Sequence, residues 1–230
     1  MFIREAVVLR SQIPRLRHQL QHRGVKGTLR WAIRRAQSKV HLDETHVWYE
    51  LSLNSDRPRQ PLRPGLELIR AGADDLPLLN ELPSVSEYTA KQRIEAGNDL
   101  WLVLKDRQPI FACWIFHDST PLLAARNGKL ALSSETVCME DSVSSPHFRG
   151  RGVITPSAWS QVADRLEKIG VKSIITKVEA DNKVMRLVLT RSGFREIAVM
   201  HFRRAGFRQH TTVRSKTGAT PYWLTEQLTP

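Results

Sequence analysis

The sequence predicts a mixed α/β fold, a sheet flanked by helices, behind a basic N-terminal extension. Three observations lead there. From residue 66 onward, apolar runs of strand length alternate with segments of helical period. Two of those runs, DLWLVLKD and PIFACWIFHD, are separated only by turn residues and read as a hairpin. A chain of 230 residues that is 41% hydrophobic can also bury a full core between such layers.

Residues 1–40 hold ten Lys or Arg against one acid, Glu5. Within them VKGTLRWAIRRAQSKV places Val25, Leu29, Ile33, Ala36 and Val40 at spacings of three and four, the pattern of an amphipathic helix with an arginine-rich outer face. Such a face suits docking on the main domain, an anionic membrane surface or an acidic protein, and a transit peptide shares its composition. HVWYELSL reads as a strand, and NSDRPRQPLRPG, with three prolines, as an extended linker with a domain boundary near residue 60. Then follow a strand (LELIRA), a short helix (ADDLPLLNELP), a helix (SEYTAKQRIEAG), the hairpin, and a long strand region from about 129 to 144. After the loop PHFRGRGVITPSAW come a helix to about Lys168, a strand (KSIITKVEA), a helix (NKVMRLVLTRSG) and two strands (REIAVMHFRR, FRQHTTVR). The expected parts are an extension of helix, strand and linker start over 1–60, a domain over 61–215 and a tail over 216–230.

A net charge of +12 and a pI near 10.3 favour polyanionic partners without choosing among a nucleotide cofactor, nucleic acid, an acidic carrier or a membrane. Cys113 and Cys138 lie in apolar strand-like segments, with no metal or redox spacing, as suits a reducing cytoplasm; no metal is expected. No apolar run approaches the roughly 18 residues of a membrane span, so the expectation is a cytoplasmic protein, with peripheral membrane contact through the basic segment as the other reading. A nucleic-acid module is disfavoured, because no cluster of stacking aromatics accompanies the arginines.

The loop before the second long helix carries Arg149, Gly150, Arg151 and Gly152. A glycine-containing turn that enters a helix offers unpaired N–H groups and the positive end of the helix dipole, which together make an anion site. A basic turn is the plainer reading, since arginine and glycine are common in turns. The loop fits neither the phosphate-loop pattern nor the dinucleotide fingerprint.

The order strand, P-x-F-R-G-R-G-V, helix, then IGVKSIITKVEADNKVMRLVLTRSGF resembles the GNAT superfamily of acyl-CoA-dependent N-acyltransferases over about residues 66–215, and implies a mainly antiparallel sheet. The resemblance rests on Arg149, Gly150, Arg151, Gly152 and Val153, and on Asn182 with the Gly193-Phe194 step. It implies that the loop amides hold a coenzyme A pyrophosphate, that Ser142, Val143 and Ser144 pair with the pantetheine, and that Asn182 contacts the cofactor arm. Ile154 departs from the small residue usual at the end of the loop. The general layout also resembles a bacterial branch associated with exopolysaccharide and specialised metabolism. The implied reaction moves an acetyl or longer acyl group from acyl-CoA or an acidic acyl carrier protein to an amine of a sugar, amino acid or peptide.

That chemistry needs a base for the protonated amine. Glu135 is the first choice and Glu140 the second; strict alternation puts Glu135 and Asp141 on one face and Glu140 on the other, unless a bulge intervenes. Many family members carry a tyrosine acid where Leu189 stands here, followed by Thr190; His147 and His201 are the other donors considered. The missing tyrosine keeps a second reading open, an acyl-CoA-binding protein without turnover.

Overall fold

Strands form where apolar residues run or alternate. The computed structural model describes residues 41–148, 154–206, 208–216 and 222–228. Its strands are β1 (His41–Ser52), β2 (Leu66–Ala71), β3 (Asp99–Lys105), β4 (Gln108–Phe116), β5 (Ser119–Pro121), β6 (Lys129–Ala131), β7 (Thr136–Ser144), β8 (Ser173–Glu179), β9 (Arg195–Ala205) and β10 (Arg208–Ser215). Eight of them form one sheet in the order β10-β9-β1-β8-β7-β4-β3-β2, antiparallel at every pair except β7–β8. β3 and β4 form the expected hairpin and are buried almost throughout, because their near-continuous apolar runs meet cores on both faces.

Four α-helices flank the sheet among the described residues: α1 (Glu87–Glu95), α2 (Ile154–Lys168), α3 (Lys183–Arg191) and α4 (Tyr222–Leu228). In α2, Ala158, Trp159, Val162, Ala163 and Leu166 recur at helical spacing and are buried against one sheet face with Tyr49, Phe111 and Met139. The opposite face packs Trp48, Trp114 and Phe202 against the 3₁₀ segment Ala73–Glu81, α1 and α4. α1 starts where the Ser86 hydroxyl accepts from the Thr89 N–H at 3.3 Å. No described helix is long and apolar enough to cross a membrane.

The boundary near residue 60 is corrected. β1 lies inside the sheet, antiparallel to both β8 and β9, so its residues are part of the domain and not of an extension. The proline-rich run after it is strapped to α2: buried Arg57 bonds Asp164 at 2.5 Å and Glu167 at 2.9 Å, and the Gln60 N–H donates to Ser160 Oγ at 2.8 Å. Pro58 packs on Gly193, where φ is +90° and an added Cβ would meet Pro58 Cδ at 2.8 Å. Glycine is therefore needed there on two counts. The expected tail also has structure: α4 buries Leu224 and Leu228, and the Gln227 amide bonds both backbone groups of Ala131. The long strand expected over 129–144 is broken, since Ala131 ends β6 and the Thr136 N–H closes a turn onto the Ser133 carbonyl. The basic helix expected over 25–40, and all of residues 1–40, lie outside the described residues.

Candidate active site

The parallel neighbours β7 and β8 pair over only three positions: Thr136 with Ser173, Val137 with Ile174 and Cys138 with Ile175. On its other edge β7 pairs with β4, where Trp114 faces Glu140 and Ala112 faces Val143, so Asp141 and Ser142 together oppose Cys113. This is a β-bulge, and Asp141 takes the left-handed conformation it needs, with φ +49°. Beyond Cys138, ahead of the bulge, β7 and β8 part. A cleft of about 380 Å³ opens between them and reaches both faces of the sheet.

The face beneath α1 carries the charged groups. Glu140 and Lys177 form an ion pair, and their side chains are 18% and 14% exposed. The Lys177 ammonium lies 5.6 Å from the Trp48 ring centroid. Burial pulls its pKa down, but the adjoining Glu140 carboxylate outweighs this, and the net shift is upward. His46, on β1, is pushed down to about 4, first by burial and then by the Lys177 charge, so its ring is neutral near pH 7. Its Nδ1 is buried and has no hydrogen-bond partner among the described residues. Cys138 Sγ donates to Glu140 Oε1 at 3.5 Å, and burial raises the thiol far above its ordinary range, which leaves it unreactive. Asp141 pairs with Arg93 of α1 at 2.7 Å, and that guanidinium stacks over Trp114 and Phe116.

The face beneath α2 and α3 carries hydroxyls and an amide. Trp159 Nε1 donates to Ser142 Oγ at 3.1 Å, and Ser144 Oγ lies 3.4 Å from Thr155 Oγ1, near the start of α2. Asn182 is the N-cap of α3, its side chain accepting from the Met185 N–H at 3.1 Å while it lines the cleft. A network under α3 fixes this helix: the Tyr49 hydroxyl donates to Glu196 at 2.8 Å, and Arg186 donates to Glu196 at 2.7 Å and to Tyr49 at 3.1 Å.

The structure brings Glu140, Ser142 and Asn182 together in the cleft. Ser144 follows on the α2 side, whereas Val143 packs into the opposite core. Ile154 opens α2, half-buried against the core beneath it. Arg149, Gly150, Arg151, Gly152 and Val153 lie outside the described residues. Glu135 is placed elsewhere: it precedes β7, is half exposed and pairs with Lys172, five residues and roughly 15 Å along the chain from Glu140. The alternation argument is corrected too, because the bulge directs Glu140 and Asp141 to the same side. Neither His147, exposed before the loop, nor His201, which bonds Asp43 at 2.7 Å, lines the cleft; Leu189 lines it as a buried apolar side chain. The sequence reading missed His46 and Lys177. The signal for Lys177 was a lone ammonium in the run SIITKV; His46 had none beyond its strand.

Beyond Cys138 the β7 edge turned toward β8 has no strand partner among the described residues. Such an edge can take an extended, amide-bearing chain by strand-like hydrogen bonding. A carboxylate at the opening through the sheet can accept a proton from a group arriving on the other face.

No protein-family model matches the chain, and no curated protein sequence matches it. Among solved structures it is similar to a GNAT-family acetyltransferase from Colwellia psychrerythraea, with a TM-score of 0.51 and 12% identity over 71% of this chain and 56% of that one. It is likewise similar to a GCN5-related N-acetyltransferase from Sphaerobacter thermophilus, with a TM-score of 0.51 and 14% identity over 73% and 53% of the two chains. A protein assigned to the GNAT family from Novosphingobium aromaticivorans gives 0.50 and 13% over 76% and 66%. The chain thus spans between about half and two thirds of the length of these structures. The likeness is one of fold: a GNAT-like α/β architecture with a large, mostly antiparallel sheet between helices.

Proposed function

We propose that the chain is an N-acyltransferase that moves an acyl group from a phosphopantetheine thioester to an amine. The observation that carries this reading is the parting of β7 and β8, which sets a free strand edge and Glu140 at one opening through the sheet. The pantetheine amides pair with that edge, with Ser142 and Asn182 beside them. The phosphates lie at the loop Arg149–Ile154, at the start of α2, where N–H groups and the helix dipole favour anions. Glu140 takes a proton from the arriving ammonium, the amine forms the new C–N bond at the thioester carbonyl, and the C–S bond breaks. The thiolate leaves without a tyrosine acid, since Leu189 is apolar; a thiol of pKa about 8.5 tolerates this near neutral pH. The second proton lost by nitrogen passes to solvent or to the thiolate.

The donor is acyl-CoA or an acidic carrier protein, either of which a chain of charge +12 attracts, and the acceptor is an amine of a sugar, amino acid or peptide. The basic residues 1–40 recruit the acceptor, the carrier or an anionic membrane. The test is thiol release from a panel of acyl-CoAs with amines, together with calorimetry of coenzyme A. Glu140→Gln is expected to lower kcat by at least about a hundredfold while leaving coenzyme A affinity unchanged. Coenzyme A binding without thiol release for any donor and amine would favour a binding protein, a reading that the apolar Leu189 supports. Absence of coenzyme A binding would overturn both.

A further inference from the structure

A second cavity of about 160 Å³ opens beside the cleft on the Glu140 face, and the two share His46 and Lys177. Its apolar wall includes Met200 and Phe202 of β9 and Leu122 from the segment after β5, and Glu44 of β1 also lines it. The register that sets His46 opposite Glu179 makes Glu44 and Glu179 diagonal neighbours on adjacent strands, roughly 7–8 Å apart at the backbone. Neither forms an ion pair among the described residues, and the ammonium of Lys177 is committed to Glu140. The two linings therefore carry Glu44, Glu140, Asp141 and Glu179 against one lysine, with Arg204 acting on Glu44 from beside them, in a chain that is strongly basic overall. A wall of this kind rejects anions and selects cations, and its apolar part takes a hydrocarbon spacer.

We propose that the acceptor is a dication, a diamine or an amine bearing a second cationic group. One nitrogen is delivered to Glu140 and the other is held by Glu44 and Glu179, with the spacer against Met200 and Phe202. The inference rests on reading the cleft as an acyl-transfer site. β7 and β1 are about two strand spacings apart, roughly 10 Å, and side chains reaching inward leave a gap that a short alkyl chain spans. His46 stands between the two ends with a neutral ring, so it adds a hydrogen-bonding edge and no competing charge. Burial, and then the like charge of Glu179, hold the Glu44 carboxyl above its ordinary range despite Lys177 and Arg204.

Calorimetric titration with 1,4-diaminobutane and with n-butylamine tests the pocket without requiring turnover. The diamine is expected to bind at least roughly tenfold more tightly. Glu44→Gln, nearly isosteric, should erase most of that preference, and Glu179→Gln, at an exposed strand end, should reduce it even if the first variant folds poorly. Equal affinity for the two amines, or a preference that survives in a folded Glu44→Gln protein, would overturn the proposal. Thiol release separates this result from the underlying reading. A diamine preference with no donor turnover would leave the dication pocket standing and sink acyl transfer; equal turnover of mono- and diamine would do the reverse.

Discussion

Replacing Lys177 with methionine keeps the unbranched four-atom stem of the side chain and removes the ammonium that pairs with Glu140. Loss of one partner from a buried ion pair costs about 3–5 kcal/mol, because the remaining charge stays desolvated. Here the side chains are 14% and 18% exposed and line an open cleft, so water reaches the stranded carboxylate and the low end, about 3 kcal/mol, is expected. For a chain of this size that lowers Tm by about 6–12 °C. The double variant Lys177→Met/Glu140→Gln leaves neither charge behind and should recover most of the loss. Thermal melts and urea titration of the four proteins close the cycle. The raised Lys177 pKa fixes the sign with pH: a lysine raised on folding stabilises fully below its unfolded value and loses that contribution only as pH rises through the higher folded value. The Tm difference should therefore be flat from about pH 6 to pH 9. A coupling energy below about 0.5 kcal/mol, or a Tm difference that vanishes by pH 8, would refute the account of this pair.

His46 is lowered to about 4 by burial and by Lys177, so the unfolded chain takes up a proton first; stability is full above about pH 6.5 and falls as pH drops toward 4. Discounted for solvent screening, the loss is about 1–2 kcal/mol, and His46→Gln should flatten that part of the Tm-versus-pH curve, an unchanged slope counting against it. Arg57→Met leaves Asp164 and Glu167 only their longer contacts with Arg59, should cost about 2 kcal/mol, and should open residues 53–65 to limited proteolysis; protection equal to the parent's would contradict the docked strap. Asn182→Ala should cost about 1 kcal/mol as a lost cap and, if Asn182 also holds the donor arm, raise the donor KM severalfold at temperatures where the variant is fully folded; a thermal effect alone returns it to capping.

Local chemistry wrote the elements that the sequence made legible. The β3–β4 hairpin, α2 and α3 each carry their own periodicity and turn residues, and the Asn182 cap follows from a polar side chain before an apolar helical run. What was not legible depends on partners far along the chain. HVWYELSL shows a strand but not that its neighbours are β8 and β9, more than 120 residues away. The prolines around Arg57 look like a free linker until Asp164 and Glu167 are brought to it by α2. Glu135 fell in an apparent strand because nothing in LSSE marks the turn as strongly as a glycine would, and it was therefore placed on a face that it does not occupy. The bulge was left open for the same reason: Glu140 and Ser142 flank Asp141, and none of the three is the glycine that usually signals such a site.

The bulge also explains how one strand serves both sides of the sheet. In a regular β7, Glu140, Ser142 and Ser144 would share a face, and a carboxylate would stand in line with the hydroxyls. Inserting Asp141 shifts the parity by one: Glu140 remains on the α1 side, Ser142 and Ser144 turn toward Trp159 and Thr155 of α2, and Val143 turns into the opposite core. The left-handed backbone at Asp141 costs an L-residue about 1–2 kcal/mol, less for aspartate than for most. The ion pair with Arg93, itself stacked on Trp114 and Phe116, offsets that cost from outside the strand. Parity thus separates a carboxylate on one face from hydroxyls on the other, which is the arrangement the proposed transfer needs if donor and acceptor are to meet from opposite sides of one opening.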